Sequence, residues 1–183
     1  SLEAIYRQAR ETDTYNFINN KKAESITDKE TLVVLVDTHR PSYAENANLF
    51  TLTDKVVVID HHRRAEDCIE NATLSYIESY ASSAAELVSE IIQYAAPKKT
   101  LVKLEAEALL AGMTIDTNRF AVKTGVRTFE AAAWLRRAGA DTTEVKRFFQ
   151  TNLDAFKVRA KSIAAAEFHD NGIATSISEG CNE

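Results

Sequence analysis

The sequence predicts an α/β fold: a mainly parallel sheet with helices on both faces, a long connecting helix, and the start of a truncated second lobe. Three observations predict it. The apolar run Val56-Val57-Val58-Ile59 reads as a buried strand and stops at the polar triplet Asp60-His61-His62. A second run, Leu32-Val33-Val34-Leu35-Val36, stops in the same way at Asp37-Thr38-His39-Arg40-Pro41. Helical patterns with capping signals then fill residues 83–138, the alternation expected of helices laid against parallel strands.

Taken in order, residues 2–12 form a short helix, and a polar stretch follows to Glu30. The strand 32–36 comes next, then a loop with a helical turn around residues 43–50, then the strand 56–59. Residues 74–78 suit another short strand. Ser83-Ala84-Ala85-Glu86 is a capping-box pattern; it opens a helix with Leu87, Ile91 and Tyr94 at helical spacing, and Pro97 ends it. Residues 101–115 form a second helix, and the crossover rule places both helices on the sheet faces. Thr128 opens a third helix that runs past Trp134 to Ala138, with Gly139 as its C′ residue. Asp141-Thr142-Thr143-Glu144 is again a capping box. The helix it opens is expected to pass Phe148, Phe149, Leu153, Phe156 and Ile163 and to reach His169, whose cationic form suits a helix C-terminus. Residues 172–178 read as a strand whose partners are missing. Helical spacing assigns Phe148, Phe149, Phe156 and Phe168 to core packing rather than to a base-stacking platform.

Composition narrows the function. The 183 residues fit one domain or slightly more, and 45% hydrophobic residues support a real core. A net charge of -5 without a long basic run argues against a binder of duplex nucleic acid. Cys68 and Cys181 form no metal or disulfide pattern, which suits a reducing cytoplasm. No apolar stretch approaches the roughly 18 residues that a membrane span needs, and residues 1–20 are not a signal peptide.

The chemistry gathers where buried elements end. In open α/β sheets, ligands bind outside the carboxyl ends of the strands. Asp37 and the Asp60-His61-His62 triplet fall there, and Asp116-Thr117-Asn118-Arg119 follows the apolar stretch 108–115. Mixed carboxylate and imidazole donors suit a divalent ion such as Mn²⁺. Phosphodiester hydrolysis needs a hydroxide at neutral pH and shielding of phosphate oxygens, and a two-metal site supplies both. In this reading Asp60 and His62 serve the chemistry by orienting His61 and its neighbours, and His62 could alternatively reach a substrate phosphate. Arg63, Arg64 and Arg119 are candidate phosphate contacts. His39 has no firm role, and Cys68 reads as an inert thiol.

Four ordered segments carry a resemblance: Val36-Asp37-Thr38-His39-Arg40-Pro41; Val58-Ile59-Asp60-His61-His62-Arg63-Arg64; Tyr80-Ala81-Ser82-Ser83-Ala84-Ala85-Glu86-Leu87-Val88; and Gly112-Met113-Thr114-Ile115-Asp116-Thr117-Asn118-Arg119-Phe120. Over residues 30–170 the chain resembles the DHH phosphoesterase superfamily, which holds RecJ-type exonucleases, oligoribonucleases and family II pyrophosphatases. It is most similar to cyclic-di-AMP phosphodiesterases of the GdpP type. The resemblance implies a bridging aspartate at Asp37, a metal-binding histidine at His61 and a late aspartate ligand at Asp116. It implies two Mn²⁺ ions in the complete protein and hydrolysis of cyclic-di-AMP to pApA.

The departures from that pattern are specific. The family has an earlier motif of His followed by Asp-x-Asp, but residues 1–36 contain no His and only Asp13 and Asp28 among aspartates. At most a partial metal site is therefore expected here, and the isolated chain is expected to be inactive. The expected organisation is a partial DHH catalytic lobe over 1–141, a connecting helix over 142–170 and, over 171–183, the start of a DHH-associated substrate-binding domain. The resemblance also implies a membrane-anchored parent with this region on its cytoplasmic side. The expected partner is a cyclic dinucleotide or short oligonucleotide, and an open sheet edge would permit a homodimer. Two alternatives stay open: a DHH-type oligoribonuclease or pyrophosphatase, and a non-catalytic nucleotide-binding module.

Overall fold

A computed structural model of the chain describes residues 2–12, 14–96, 101–150 and 153–177. Two helices come first, α1 (Leu2–Glu11) and α2 (Asn20–Ile26). Asn19 caps α2 by accepting the Lys22 N–H at 2.9 Å. Then follow β1 (Val33–Val36), a 3₁₀ turn at Pro41–Tyr43, α3 (Leu49–Leu52), β2 (Val56–Asp60) and β3 (Leu74–Ile77). These strands form a parallel sheet in the order β1-β2-β3, with Val36 opposite Ile59 and Asp60 opposite Ile77. The shared register brings the three carboxyl ends to one edge.

β2 is the central strand. Its β-branched run is buried, with Val58 at 1% exposure, because it has a neighbour on each side. β1 departs from expectation. Val34 and Val36 stay exposed, so the run 32–36 is an edge strand with one open face rather than a buried one. Its sole strand partner among the described residues is β2.

The helical half consists of α4 (Ala84–Ala95), α5 (Lys103–Asp116), α6 (Val126–Arg137) and α7 (Thr142–Phe148). α4 starts as expected, with Ser83 Oγ accepting the Glu86 N–H at 3.0 Å; Pro97 lies outside the described residues. Leu87, Val88 and Ile91 of α4 pack on Val57, Ile59 and Tyr76 and cover one sheet face. Successive strand residues point to opposite faces. Val56, Val58 and Asp60 are therefore turned to the other face. α5 was expected on the sheet, but it packs chiefly on α4, α6 and α7. Ala106, Leu110, Ala111 and Met113 of α5 share a core with Ala131 and Leu135 of α6 and with Val145 and Phe148 of α7. α6 begins earlier than expected. Thr128 Oγ1 accepts the Gly125 N–H at 3.1 Å, so the hydroxyl serves from inside the first turn rather than from the cap. Gly139 takes the left-handed conformation that its C′ role requires (φ 107°).

The single connecting helix over 142–170 is corrected. α7 closes at Phe149 and Gln150, whose N–H groups bond three residues back to Lys146 and Arg147 (3.2 and 3.1 Å). That tightening ends the α-helical ladder. α8 (Leu153–Ala164) is a separate helix, and β4 (Glu167–His169) pairs antiparallel with β5 (Ile173–Thr175). The strand expected over 172–178 therefore has a partner, and Ser178 lies outside the described residues. Asn171 and Gly172 make the turn at φ 77° and 74°, a conformation these two residue types tolerate. His169 is a strand residue hydrogen-bonded to Thr175 Oγ1 (2.7 Å), not a helix terminus. Of the four phenylalanines expected in the core, Phe148 is buried and Phe149 packs against it, whereas Phe156 and Phe168 are exposed. Among the described residues, no helix is long and apolar enough to cross a membrane.

Candidate metal centre

Asp37 follows β1 directly, and its N–H extends the ladder to the Ile59 carbonyl (2.9 Å). The residue sits at φ 67°, a left-handed conformation that Asp tolerates better than most side chains. His61 follows β2, and Asp116 is the last residue of α5. His61 Nε2 lies 3.4 Å from Asp37 Oδ1 and 3.6 Å from Asp116 Oδ2. His62 also offers a nitrogen, and donor atoms of Asp37, His61 and His62 all fall within 4.8 Å of one another.

These donors fit a divalent ion. Ligands about 2.1 Å from a small octahedral metal stand roughly 3 Å apart along an edge. The observed separations need only small side-chain adjustments, and the mix of carboxylate oxygen and imidazole nitrogen suits a divalent metal ion. The Asp37 hydrogen bond raises His61 above the ordinary imidazole value; burial opposes this, and the Asp116 and Asp37 charges add to it. Asp116 is raised by burial and by the nearby Asp37 charge, although His61 pulls it down. An acid and a base, both shifted by the same close neighbours, are characteristic of a site built to hold charge.

Asp60 has a different environment. It is fully buried, and its Oδ1 accepts the N–H of His61 (2.8 Å), the N–H of His62 (3.2 Å) and His62 Nδ1–H (2.7 Å). Its Oδ2 meets His39 Nδ1 at 2.5 Å. Burial alone would raise this carboxyl, but the bonds from His39 and His62 bring it below its ordinary value. His39, to which the sequence assigns no firm role, is 2% exposed. The sequence signal that could have found it is its place two residues beyond Asp37 at the same strand end.

The arginines divide. Arg63 lines a cleft of about 750 Å³ together with Asp37, Thr38, His39, Asp60 and His62. Arg40 lines it too, with its guanidinium 4.3 Å from the Tyr43 ring centre and its Nε on Asp67 (2.9 Å). Sequence reading missed this pair. Arg64 is exposed beside Arg63. Arg119 lines a separate hollow with Thr114, Val145 and Lys146. It lies in a left-handed run, Asn118, Arg119 and Phe120 (φ 46°, 60° and 63°), directly after Asp116. Each such non-glycine residue costs about 1–2 kcal/mol. Thr117 holds the run: its hydroxyl donates to the Met113 carbonyl (2.6 Å) and accepts the Phe120 N–H (2.9 Å).

A parallel sheet whose strand ends meet a helix end in a carboxylate–imidazole cluster defines an α/β protein of the metal-site class. The chain belongs to the DHH family; residues 1–113 match the model described as "DHH family, N-terminal domain". It is 44% identical over 158 residues to the cyclic-di-AMP phosphodiesterase GdpP of Bacillus subtilis, a match that covers 86% of this chain and 24% of that protein. Identity to the cyclic-di-AMP phosphodiesterase PdeA of Listeria monocytogenes is also 44%, over 151 residues, 82% of this chain and 23% of that protein. The chain thus spans about a quarter of the length of these curated relatives. Among solved structures, an exopolyphosphatase-related protein from Bacteroides fragilis shares the fold with a TM-score of 0.68 at 17% identity, over 77% of this chain and 42% of that one.

Proposed function

We propose that this chain forms part of the catalytic lobe of a phosphodiesterase that opens cyclic-di-AMP to linear pApA. The observation that carries the reading is the 44% identity to GdpP over a stretch that includes the Asp37, His61 and Asp116 cluster. In the reaction, a water oxygen adds to phosphorus and one P–O3′ bond breaks. The products are a 5′-phosphate at one end and a 3′-hydroxyl at the other.

Asp37, His61 and Asp116 would hold a divalent ion, with Mn²⁺ the best match to the donors and two ions in the complete site. Bound ions of this kind shield phosphate charge and supply a nucleophile at neutral pH. Asp60 takes up His62 Nδ1–H and leaves His62 Nε2 free for the ion or a phosphate oxygen. Arg63, and Arg64 beside it, would meet substrate phosphates from the cleft. Arg119 would reach them only after a rearrangement of its left-handed turn. One imidazole and two carboxylates do not fill two coordination spheres, so turnover is assigned to a longer chain with further ligands. That longer protein is proposed to hold this region in the cytoplasm.

The test measures hydrolysis of cyclic-di-AMP, pApA and pyrophosphate, with Mn²⁺ and with a chelator. It uses the 183-residue chain and the same chain within the longer context its relatives have. Mn²⁺-dependent cleavage of cyclic-di-AMP in the longer protein, abolished by Asp116→Ala, is expected. Faster turnover of pApA or pyrophosphate would replace the substrate with that of an oligoribonuclease or pyrophosphatase. Tight Mn²⁺ binding without turnover of any substrate would leave a nucleotide-binding module.

A further inference from the structure

We infer that His39 is a positioning residue that acts through Asp60 to fix the tautomer and direction of His62. The Ala65 N–H donates to His39 Nε2 at 2.9 Å. A backbone amide can only donate, so Nε2 is bare and the ring proton sits on Nδ1. That proton is given to Asp60 Oδ2. Both ring nitrogens of His39 are therefore used inside the protein, which rules it out as an ion ligand and defines its task.

The task follows from the division of labour on Asp60. Oδ1 collects three donors from the His61-His62 turn, whereas Oδ2 has only His39. A buried carboxylate oxygen without a donor is costly. Without the His39 donor Asp60 would rotate to find another partner for Oδ2, and rotation draws Oδ1 away from His62 Nδ1–H. His62 would then be free to move its proton to Nε2, the nitrogen left without it when Nδ1 donates to Asp60. His39 also grips the far side of the same segment, because its carbonyl accepts the Ile69 N–H at 3.0 Å. The end of β1 thus clasps the chain on both sides of the turn that carries His61 and His62.

The functional meaning rests on the metal-centre reading, but the test does not. Ring ¹⁵N shifts of the four histidines, recorded without metal or substrate, report each tautomer. His39→Asn keeps an amide donor where Nδ1 stood, and His39→Gln keeps a polar group where Nε2 stood. His62 is expected as one Nδ1–H tautomer in the parent and in His39→Asn, and as an exchanging mixture in His39→Gln and His39→Leu. Mn²⁺ affinity, read by electron paramagnetic resonance, should hold in His39→Asn and fall about tenfold in His39→Gln. A single Nδ1–H tautomer in all variants, or identical behaviour of Asn and Gln, overturns the proposal. So does loss of the fold in both polar variants, which would make His39 a folding residue only. Absence of phosphodiesterase activity leaves the tautomer result standing.

Discussion

Gly112 of α5 lies so close to α4 that a methyl group on it would stand 3.0 Å from the Ala85 Cβ. The contact is one helical turn before Asp116, so it sets how near that carboxylate comes to His61. Gly112→Ala gains about 0.5–1 kcal/mol of helix propensity. Overpacking costs about 1–3 kcal/mol and should win. Urea unfolding is expected to show a net loss together with weaker Mn²⁺ binding, and adding Ala85→Gly should restore both. Unchanged binding in Gly112→Ala would mean that Asp116 is placed by its own turn instead.

Acid should attack the Asp60 junction. Its carboxyl lies below the ordinary value because His39 and His62 bonds outweigh burial. A lowered folded value contributes stability that is present above the unfolded value of about 4 and is lost as pH falls through the folded one. Asp60→Asn is expected to flatten the urea midpoint between about pH 5 and 3. An acid limb as steep as the parent's would place the sensitivity on other carboxylates.

His61 gives the opposite slope. Its value is raised, first by the Asp37 hydrogen bond. That stability is complete below the unfolded value of about 6.5 and is lost as pH rises through the folded value. A divalent ion needs the neutral ring, so Mn²⁺ affinity should climb over the same interval with release of a proton. Calorimetry in buffers of different ionisation enthalpy measures that proton. Asp37→Asn should shrink the pH-dependence of the metal-free protein, and a pH-independent affinity in the parent would remove His61 from the ligand set.

Glu86 does more than its capping pattern announces. Its Oε2 accepts Ser82 Oγ at 2.5 Å and Thr128 Oγ1 at 2.7 Å, deep between α4 and α6. Thr128→Val is expected to cost about 1–3 kcal/mol, the range for leaving a buried acceptor without its partner. Ser83→Ala, a simple cap loss, should cost about 1 kcal/mol. Equal costs in chemical unfolding would mean that the bridge to α6 adds nothing.

The features legible in the sequence were those written locally. The runs before Asp37 and Asp60 give strands by composition, and their parallel register brings Asp37 and His61 together at one edge. The Ser83 and Asp141 caps and the Gly139 stop are likewise short-range signals, and the structure reproduces them. What stayed hidden depends on distant partners or on backbone that propensity does not encode. Nothing near His39 says that its ring will meet Asp60 across the sheet. Arg119 reads as a phosphate contact until three left-handed residues turn it into another hollow. Helical spacing ran on past Phe149 because apolar residues continue at the right intervals, although Thr151 and Asn152 are types that favour caps over helix interiors. The hairpin was missed although Asp170-Asn171-Gly172 is a turn signal in its own right.

The proposed ligand residues Asp37, His61 and Asp116 come from three elements far apart in the chain, and no short segment can bring them together. An unfolded chain therefore offers an ion scattered carboxylates and imidazoles, whereas the native lobe offers them converged. By mass action, every tenfold rise in free ion above the dissociation constant adds about 1.4 kcal/mol to the folded state. Metal supply would then govern how long the lobe survives proteolysis as well as whether it turns over, so starvation for the ion and loss of the protein would arrive together.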